Sequence, residues 1–204
     1  MRVVKEGQEQ VTPSKILCVG RNYLAHIEEL ANAVPEQMVV FCKPNSAIGE
    51  RLVAQRGDEP VHYEAELCFL YRQGRFVSVA VGLDLTLRES QQRLKQQGLP
   101  WERCKAFDGS ALFSAFVPMP KASAGLALEL RIDGAIVQAA PIELMIYSPA
   151  AILAEIQSFM TLEDGDLVMT GTPAGVGVVP AGSRFEAQVL HRAQPLVGAS
   201  WHAQ

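Results

Sequence analysis

The sequence has no cluster of basic charge, no long apolar run, no C-x-x-C pair and no excess of glycine or proline, and each absence removes a class of protein. Eighteen lysines and arginines stand against 22 aspartates and glutamates over 204 residues, a formal net charge of −4. That balance lacks the concentrated basic surface that a phosphate backbone requires, so no nucleic-acid partner is expected. The longest apolar runs, such as Ala150–Ala154, fall far short of the roughly 20 residues of a membrane-spanning helix, and no membrane partner is expected either. Sixteen glycines and 12 prolines are ordinary usage and exclude collagen-like and low-complexity chains. Cys18, Cys42, Cys68 and Cys104 lie 24, 26 and 36 positions apart, which excludes paired zinc knuckles and thioredoxin-like motifs. Three of them sit in apolar or strand-like runs, where cysteine packs as a small hydrophobe, so free thiols are expected. Met1–Pro13 is polar and lacks the apolar segment of a signal peptide, and together with free thiols this points to a reducing cytoplasm.

What the chain does have is apolar material: 49% of its residues, enough for one sizeable core. With no internal repeat and no linker-like tract, residues 1–204 read as a single domain. Strands are expected at Ile16–Val19, Met38–Cys42, Val61–Leu70, Phe76–Leu85, Leu126–Arg131, Ala135–Gln138, Asp166–Thr170 and Arg184–Leu190, with Asp133-Gly134 suited to a two-residue hairpin turn. Three helices are expected. Tyr23–Ala33 carries Leu24, Ile27 and Leu30 on one stripe and stops before Pro35. Thr86 and Glu89 read as a capping box opening a polar helix that ends by Gly98. Ser148-Pro149 opens a helix with Ile152, Leu153, Ile156 and Phe159 on its apolar face. Strands outnumber helices and do not alternate with them, so the fold class is α+β and strand-rich.

Alternation over Val61–Phe69 puts Val61, Tyr63, Ala65, Leu67 and Phe69 on one strand face and His62, Glu64 and Glu66 on the other. Two carboxylates at that spacing describe either a wet, charged face or a cation site. Hard oxygen ligands suit Mg²⁺, Mn²⁺ or Ca²⁺ rather than zinc, with His62 read as a neighbour and not a ligand. Asp84 interrupts an apolar strand just before Thr86, as a helix-start acid or a third ligand. His26 and Glu29, three apart on the face opposite Leu24, Ile27 and Leu30, are either a surface pair or an imidazole oriented by a carboxylate. The segment Met169–Gly177 is glycine-rich but lacks the Lys-Ser/Thr of a phosphate-binding loop. It fits a tight loop offering backbone N–H groups and the Thr172 hydroxyl to a small anion.

In order along the chain stand Cys18-Val19-Gly20-Arg21-Asn22-Tyr23 with His26 and Glu29, then Phe41-Cys42-Lys43-Pro44, then His62-Tyr63-Glu64-Ala65-Glu66-Leu67. Asp84-Leu85-Thr86-Leu87-Arg88, Lys105-Ala106-Phe107-Asp108, Gly165-Asp166 and the Thr170–Gly177 loop follow. The series resembles the fumarylacetoacetate hydrolase family, particularly its small single-domain members, over roughly residues 14 to 190. The resemblance implies a mixed β-roll, metal binding by Glu64, Glu66 and Asp84, and a catalytic dyad of His26 and Glu29 with Lys105 beside it. It also implies substrate contacts at Gln91 and Thr172, with Arg21 near the pocket. A Mg²⁺ or Mn²⁺ cofactor, a small 2-oxo acid substrate and a homodimer follow from the same likeness. Two stretches depart from the family pattern. Only Tyr71–Val77 connects the strands on either side, where the family usually has a longer excursion. Ala139–Ile146 replaces its usual Gly-Thr-Thr-x-Asp-Met-Ile. The implied chemistry is hydrolysis of acylpyruvates through a pyruvate enolate, with His26 as base, or oxaloacetate decarboxylation or tautomerisation through the same enolate. A non-catalytic metal or 2-oxo-acid binding module is the rival of another class.

Overall fold

The computed structural model describes residues 1–31 and 33–204. Its centre is a seven-stranded mixed sheet. The path runs Ala111–Phe113, Arg75–Asp84, Ala65–Arg72, Leu167–Met169, Lys15–Gly20 and Val39–Pro44, with Val117–Pro118 also paired to Arg75–Asp84. Leu167–Met169 runs parallel to Lys15–Gly20 and antiparallel to Ala65–Arg72. A four-stranded antiparallel sheet is ordered Ala135–Pro141, Leu126–Ile132, Arg184–His191, Gln194–His202. The architecture is the expected strand-rich α+β, a curled mixed sheet with few helices.

Alternation explains the layers. The expected strand Val61–Leu70 is broken at Glu64 into Glu59–Tyr63, which belongs to another sheet, and Ala65–Arg72. Ala65, Leu67 and Phe69 form one face of the central sheet, and with Val61 and Tyr63 they pack with Leu128, Leu130, Phe185 and Val189 of the antiparallel sheet. On the same face, Leu17, Val19 and Val168 bury Ile152 and Ile156 of the helix Pro149–Phe159. The opposite face closes on itself through Ile16, Cys18, Cys68, Leu70, Ala80, Phe116 and Met169. Glu66 and Asp84 belong to this second face by parity, two residues from Cys68 and four from Ala80. They are the polar end of an otherwise apolar interior. Asp166 pins the parallel strand pair: its fully buried carboxylate accepts from Ser14 N, Ser14 Oγ, Lys15 N, Lys15 Nζ and Glu163 N. Burial opposes its charge, but these hydrogen bonds outweigh it and hold the carboxyl below its ordinary range.

Several sequence expectations need adjustment. Asp133-Gly134 turns as expected, with φ of 49° and 85°. The expected connection Tyr71–Val77 shortens to a tight turn at Gln73-Gly74, because Tyr71 and Arg72 still pair with Phe76 and Arg75 in the hairpin. The first helix spans Leu24–Glu29 instead of Tyr23–Ala33. It ends early because Ala31 takes a left-handed φ of 49°, and Asn32 lies outside the described residues. Its expected apolar stripe is only partly inside, since Leu24 is exposed while His26 is buried with Ile27. The Thr86–Glu89 capping box does not form. Thr86 lies in a two-residue strand, and the helix Arg88–Gln96 is capped from outside, where Glu59 accepts from Ser90 N and Ser90 Oγ. Ser148 caps the last helix through Ala151 N as expected, but Phe159 is exposed and leaves its apolar face. Gln194–His202 forms a strand that the sequence reading did not include. The four cysteines are free thiols. Among the described residues, no helix is long and apolar enough to cross a membrane.

Candidate active site

Glu64, Glu66 and Asp84 are buried and each offers one carboxylate oxygen within 4.8 Å of the others. The backbone between the first two is clamped at Ala65. Gln138 Oε1 accepts from Ala65 N at 3.0 Å, and the Thr172 hydroxyl donates to Ala65 O at 2.8 Å. Gln138 Nε2 then donates to Thr172 Oγ1, tying strand, loop and antiparallel sheet into one unit. Asp84 joins from the next strand, its N–H donating to Glu64 O at 2.8 Å. Gly171 N donates to Glu66 Oε2 at 2.8 Å, so the glycine-rich loop supplies a backbone donor to the cluster.

Cations answer these acids. Lys105 Nζ donates to Glu64 Oε2 at 2.7 Å, Asp84 Oδ2 at 2.8 Å and Thr86 Oγ1 at 2.7 Å. Arg88 Nη2 meets Glu64 Oε1 at 2.5 Å, and Arg88 Nη1 donates to Gln91 Oε1 at 2.8 Å. Lys43, fully buried, places Nζ 2.8 Å from Asp84 Oδ1 and donates to Lys105 O, Ser110 O and Ser110 Oγ. The three donors of Lys43 are turned to Lys105 O, Ser110 O and Ser110 Oγ, so its contact with the buried Asp84 Oδ1 is an ion pair and not an aligned hydrogen bond. Burial by itself raises the carboxyls of Glu64 and Glu66, and the two then diverge. Lys105 and Arg88 outweigh burial at Glu64 and hold it well below the usual range. At Glu66 burial is reinforced by the charges of Asp84 and Glu64, which push its carboxyl up. Burial opposes the Lys105 ammonium, but Asp84 and Glu64 prevail and keep it protonated.

Three buried hard-oxygen donors converge here, one with an oxygen met only by the charge of Lys43 and one destabilised by its neighbours, and this is the donor chemistry of a divalent cation site. His62 stands outside the cluster. The helix Leu24–Glu29 adds the remaining pair. His26 Nδ1 lies 3.2 Å from Glu29 Oε2, and Glu29 Oε1 accepts from Gly175 N at 2.9 Å. Gly175 has a φ of 102°, and a Cβ there would lie 1.9 Å from Val137 O, so only glycine lets the loop reach Glu29.

One pocket is lined by Arg21, His26, Glu64, Glu66, Asp84, Gln91, Lys105 and Thr172. Of the nine residues singled out from sequence, only Glu29 is not in the wall, and it stands behind His26. Thr172 faces the pocket while its hydroxyl is held by Ala65 and Gln138. Phe41 and Trp101 form an aromatic wall, ring centres 5.7 Å apart, with Lys105 Nζ 5.3 Å from the Phe41 ring centre. Sequence reading assigned no role to Lys43, Arg88 or Gln138. Lys43 had a signal, a lysine inside an apolar strand. Arg88 had a weaker one, three positions from Gln91 on the same helix. Gln138 had none, because its partners are 73 and 34 residues away.

The model of the family described as fumarylacetoacetate (FAA) hydrolase C-terminal matches residues 15–198. An oxaloacetate tautomerase of Escherichia coli (strain K12) is 38% identical over 189 residues, covering 84% of this chain and 86% of the relative. The mitochondrial oxaloacetate tautomerase of Homo sapiens is 35% identical over 190 residues, covering 85% of this chain and 86% of that protein. The crystal structure of fumarylpyruvate hydrolase from Pseudomonas aeruginosa, in complex with Mn²⁺ and pyruvate, superposes with a TM-score of 0.87 at 29% identity. That match covers 100% of this chain and 96% of the other. Sequence and fold agree over nearly the whole length, and the chain belongs to the fumarylacetoacetate hydrolase family.

Proposed function

We propose that this chain is a divalent-metal-dependent enzyme that hydrolyses the C–C bond of acylpyruvate-type 2,4-dioxo acids, releasing pyruvate by way of its enolate. The observation that carries the reading is the meeting in one pocket of three buried carboxylates, Lys105 and the His26–Glu29 pair. Glu64, Glu66 and Asp84 would hold Mg²⁺ or Mn²⁺. When bound, the ion supplies electrophilic pull on the carboxylate and keto oxygens of a 2-oxo acid.

The chain's own groups do the rest. Glu29 accepts a hydrogen bond from Nδ1–H of His26, so Nε2 is left with the lone pair that takes a proton from water. That water adds to the acyl carbonyl, the bond to the methylene carbon breaks, and the electron pair stays on the pyruvate half as its enolate. Lys105, held as an ammonium by Asp84 and Glu64, offers positive charge to the enolate oxygen. The proton on His26 then goes to the methylene carbon, giving pyruvate and a carboxylic acid. The same groups support keto–enol tautomerisation of oxaloacetate, with His26 moving a proton between C3 and the medium. That second reading is favoured by the likeness to the oxaloacetate tautomerases of Escherichia coli and Homo sapiens.

Loss of the enol absorbance of acylpyruvates and oxaloacetate, followed with Mg²⁺, with Mn²⁺ and with chelator, tests both. Metal-dependent cleavage of an acylpyruvate to pyruvate and a carboxylic acid supports the hydrolase, release of pyruvate and CO₂ from oxaloacetate supports a decarboxylase, and decay of enol-oxaloacetate without cleavage supports the tautomerase. No turnover of any member of the panel would sink the enzyme reading and leave a binding module.

A further inference from the structure

The two ends of the central sheet are the strands Ala111–Phe113 and Val39–Pro44, and the sheet curls until they meet. Just past the second of them, Gly49 N donates to Ala111 O at 2.9 Å and Ile48 bridges Ala111 in parallel. The backbones touch at two glycines, where a Cβ on Gly49 would lie 2.8 Å from Gly109 Cα. Lys43 sits in this seam. It pairs with Ile16, as Phe41 pairs with Cys18, so alternation turns both side chains to the interior face that carries Glu66 and Asp84. Phe41 reaches the pocket wall. Lys43 lies outside the lining, behind Asp84, with none of its surface exposed.

A buried ammonium is costly unless its charge and its donors are met, while a well-packed apolar residue fills such a place at no greater cost. The partners of Lys43 all belong to the reacting end of the pocket. Its Nζ is 2.8 Å from Asp84 Oδ1 and donates to Lys105 O, and to Ser110 O and Ser110 Oγ at 3.1 Å. Ser110 Oγ donates in turn to Lys105 O at 2.8 Å. Asp84 Oδ2 is left on the side of Glu64, because Lys105 Nζ donates both to it and to Glu64 Oε2. One cation therefore holds the backbone of Lys105 and the far oxygen of Asp84 together.

We propose that Lys43 is a positioning residue for the reaction, setting the lysine that faces the enolate against the carboxylate that faces the metal. The inference rests on the reading of Glu64, Glu66 and Asp84 as the metal site and of Lys105 as the charge offered to the enolate. Closure of the sheet brings Lys43 to both, so their relative placement becomes a property of the closed sheet. Without the ammonium, Asp84 is free to turn about its side-chain torsions and Lys105 O keeps only the Ser110 hydroxyl. A displacement of about 1 Å in either group is enough to cost about a hundredfold in rate. Lys43 touches no substrate, so the loss falls on kcat and leaves KM near its wild-type value.

The test compares wild type, Lys43→Met and Ser110→Ala, each loaded with Mn²⁺ and held well below its unfolding midpoint. Turnover of acylpyruvates and oxaloacetate gives kcat and KM, and the electron paramagnetic resonance spectrum of bound Mn²⁺ reads the symmetry of its ligands without turnover. Lys43→Met is expected to lower kcat about a hundredfold with KM within about threefold, and to change the Mn²⁺ spectrum because Asp84 has lost its hold. Ser110→Ala leaves the Asp84 contact in place and removes one of the two donors to Lys105 O. It should lower kcat about tenfold with a wild-type spectrum. A lower melting midpoint in Lys43→Met with wild-type kcat and spectrum marks a structural staple and overturns the proposal. Should Lys43→Met not fold, Ser110→Ala decides alone, and a kcat within about twofold of wild type overturns the proposal. Wild-type protein that binds no Mn²⁺ and turns over no substrate overturns the functional reading itself.

Discussion

Replacing Glu66 with glutamine should make the metal-free protein more stable and the metal-loaded protein less so. Glu66 offers an oxygen within 4.8 Å of oxygens of Glu64 and Asp84. At that distance two like charges repel by about 3.5 kcal/mol with an effective dielectric constant of 20. Lys105 returns part of this, and Gly171 N, which donates to Glu66 Oε2, can donate equally to a glutamine oxygen. A net gain of about 2 kcal/mol is reasonable for the metal-free state, or about 4–8 °C in the unfolding midpoint of a chain this size. Loss of one of three anionic ligands works the other way once metal is present. A hundredfold weaker site forfeits about 2.7 kcal/mol of metal-linked stability at saturation. Thermal melts with chelator and with excess Mn²⁺ should therefore change order between wild type and Glu66→Gln. The pH dependence has a fixed sign. Because the Glu66 carboxyl is raised in the folded state, its cost is absent at low pH. It grows as pH rises from the unfolded value of about 4.3 toward the folded one. That decline should disappear in Glu66→Gln. A lower midpoint in chelator, or an undiminished Mn²⁺ shift, would refute the electrostatic account of the cluster.

The dyad and its loop give further tests. Glu29→Gln keeps the shape but weakens the hold on His26 Nδ1 and Gly175 N, so kcat should fall by about 10²–10⁴ while Mn²⁺ affinity measured by calorimetry stays near wild type. A parallel loss of metal binding would show that Glu29 serves the carboxylates instead. Gly175→Ala puts a Cβ 1.9 Å from Val137 O. The loop must shift and release Glu29, so a lower melting midpoint should accompany the drop in kcat, and an unchanged midpoint would contradict the contact. Gln138→Leu leaves Ala65 N without its acceptor, and Thr172 Oγ1 and Pro173 O without their donor, in a buried site. Destabilisation of about 2–4 kcal/mol in denaturant titration is expected, and a neutral result would remove Gln138 as the clamp between Glu64 and Glu66.

How far the sequence reaches can be judged element by element. Inward positions were legible where apolar residues alternate, because alternation is local: Val61, Tyr63, Ala65, Leu67 and Phe69 are buried as read and Asp133-Gly134 turns as read, but the break at Glu64 and the change of sheet there depend on distant strands. Helix ends were less legible, because they depend on distant partners. Thr86 matches a capping pattern, yet Lys105 takes its hydroxyl and Glu59 caps the helix from another strand.

For the site, the sequence by itself determined the inventory: three acids, a His–Glu pair at one helical spacing, a lysine and a glycine-rich loop, in an order that carries a family resemblance. Those residues are ordinary surface charges until something desolvates them. Only the tertiary structure decided that Glu64, Glu66 and Asp84 are buried together, that Lys105 and Lys43 reach them from separate elements, and that Glu29 answers to Gly175 as well as His26. The physical reason is that charge–charge energies depend on distance and burial. Residues 20 to 146 positions apart become neighbours only when the sheet curls and closes its apolar face behind them.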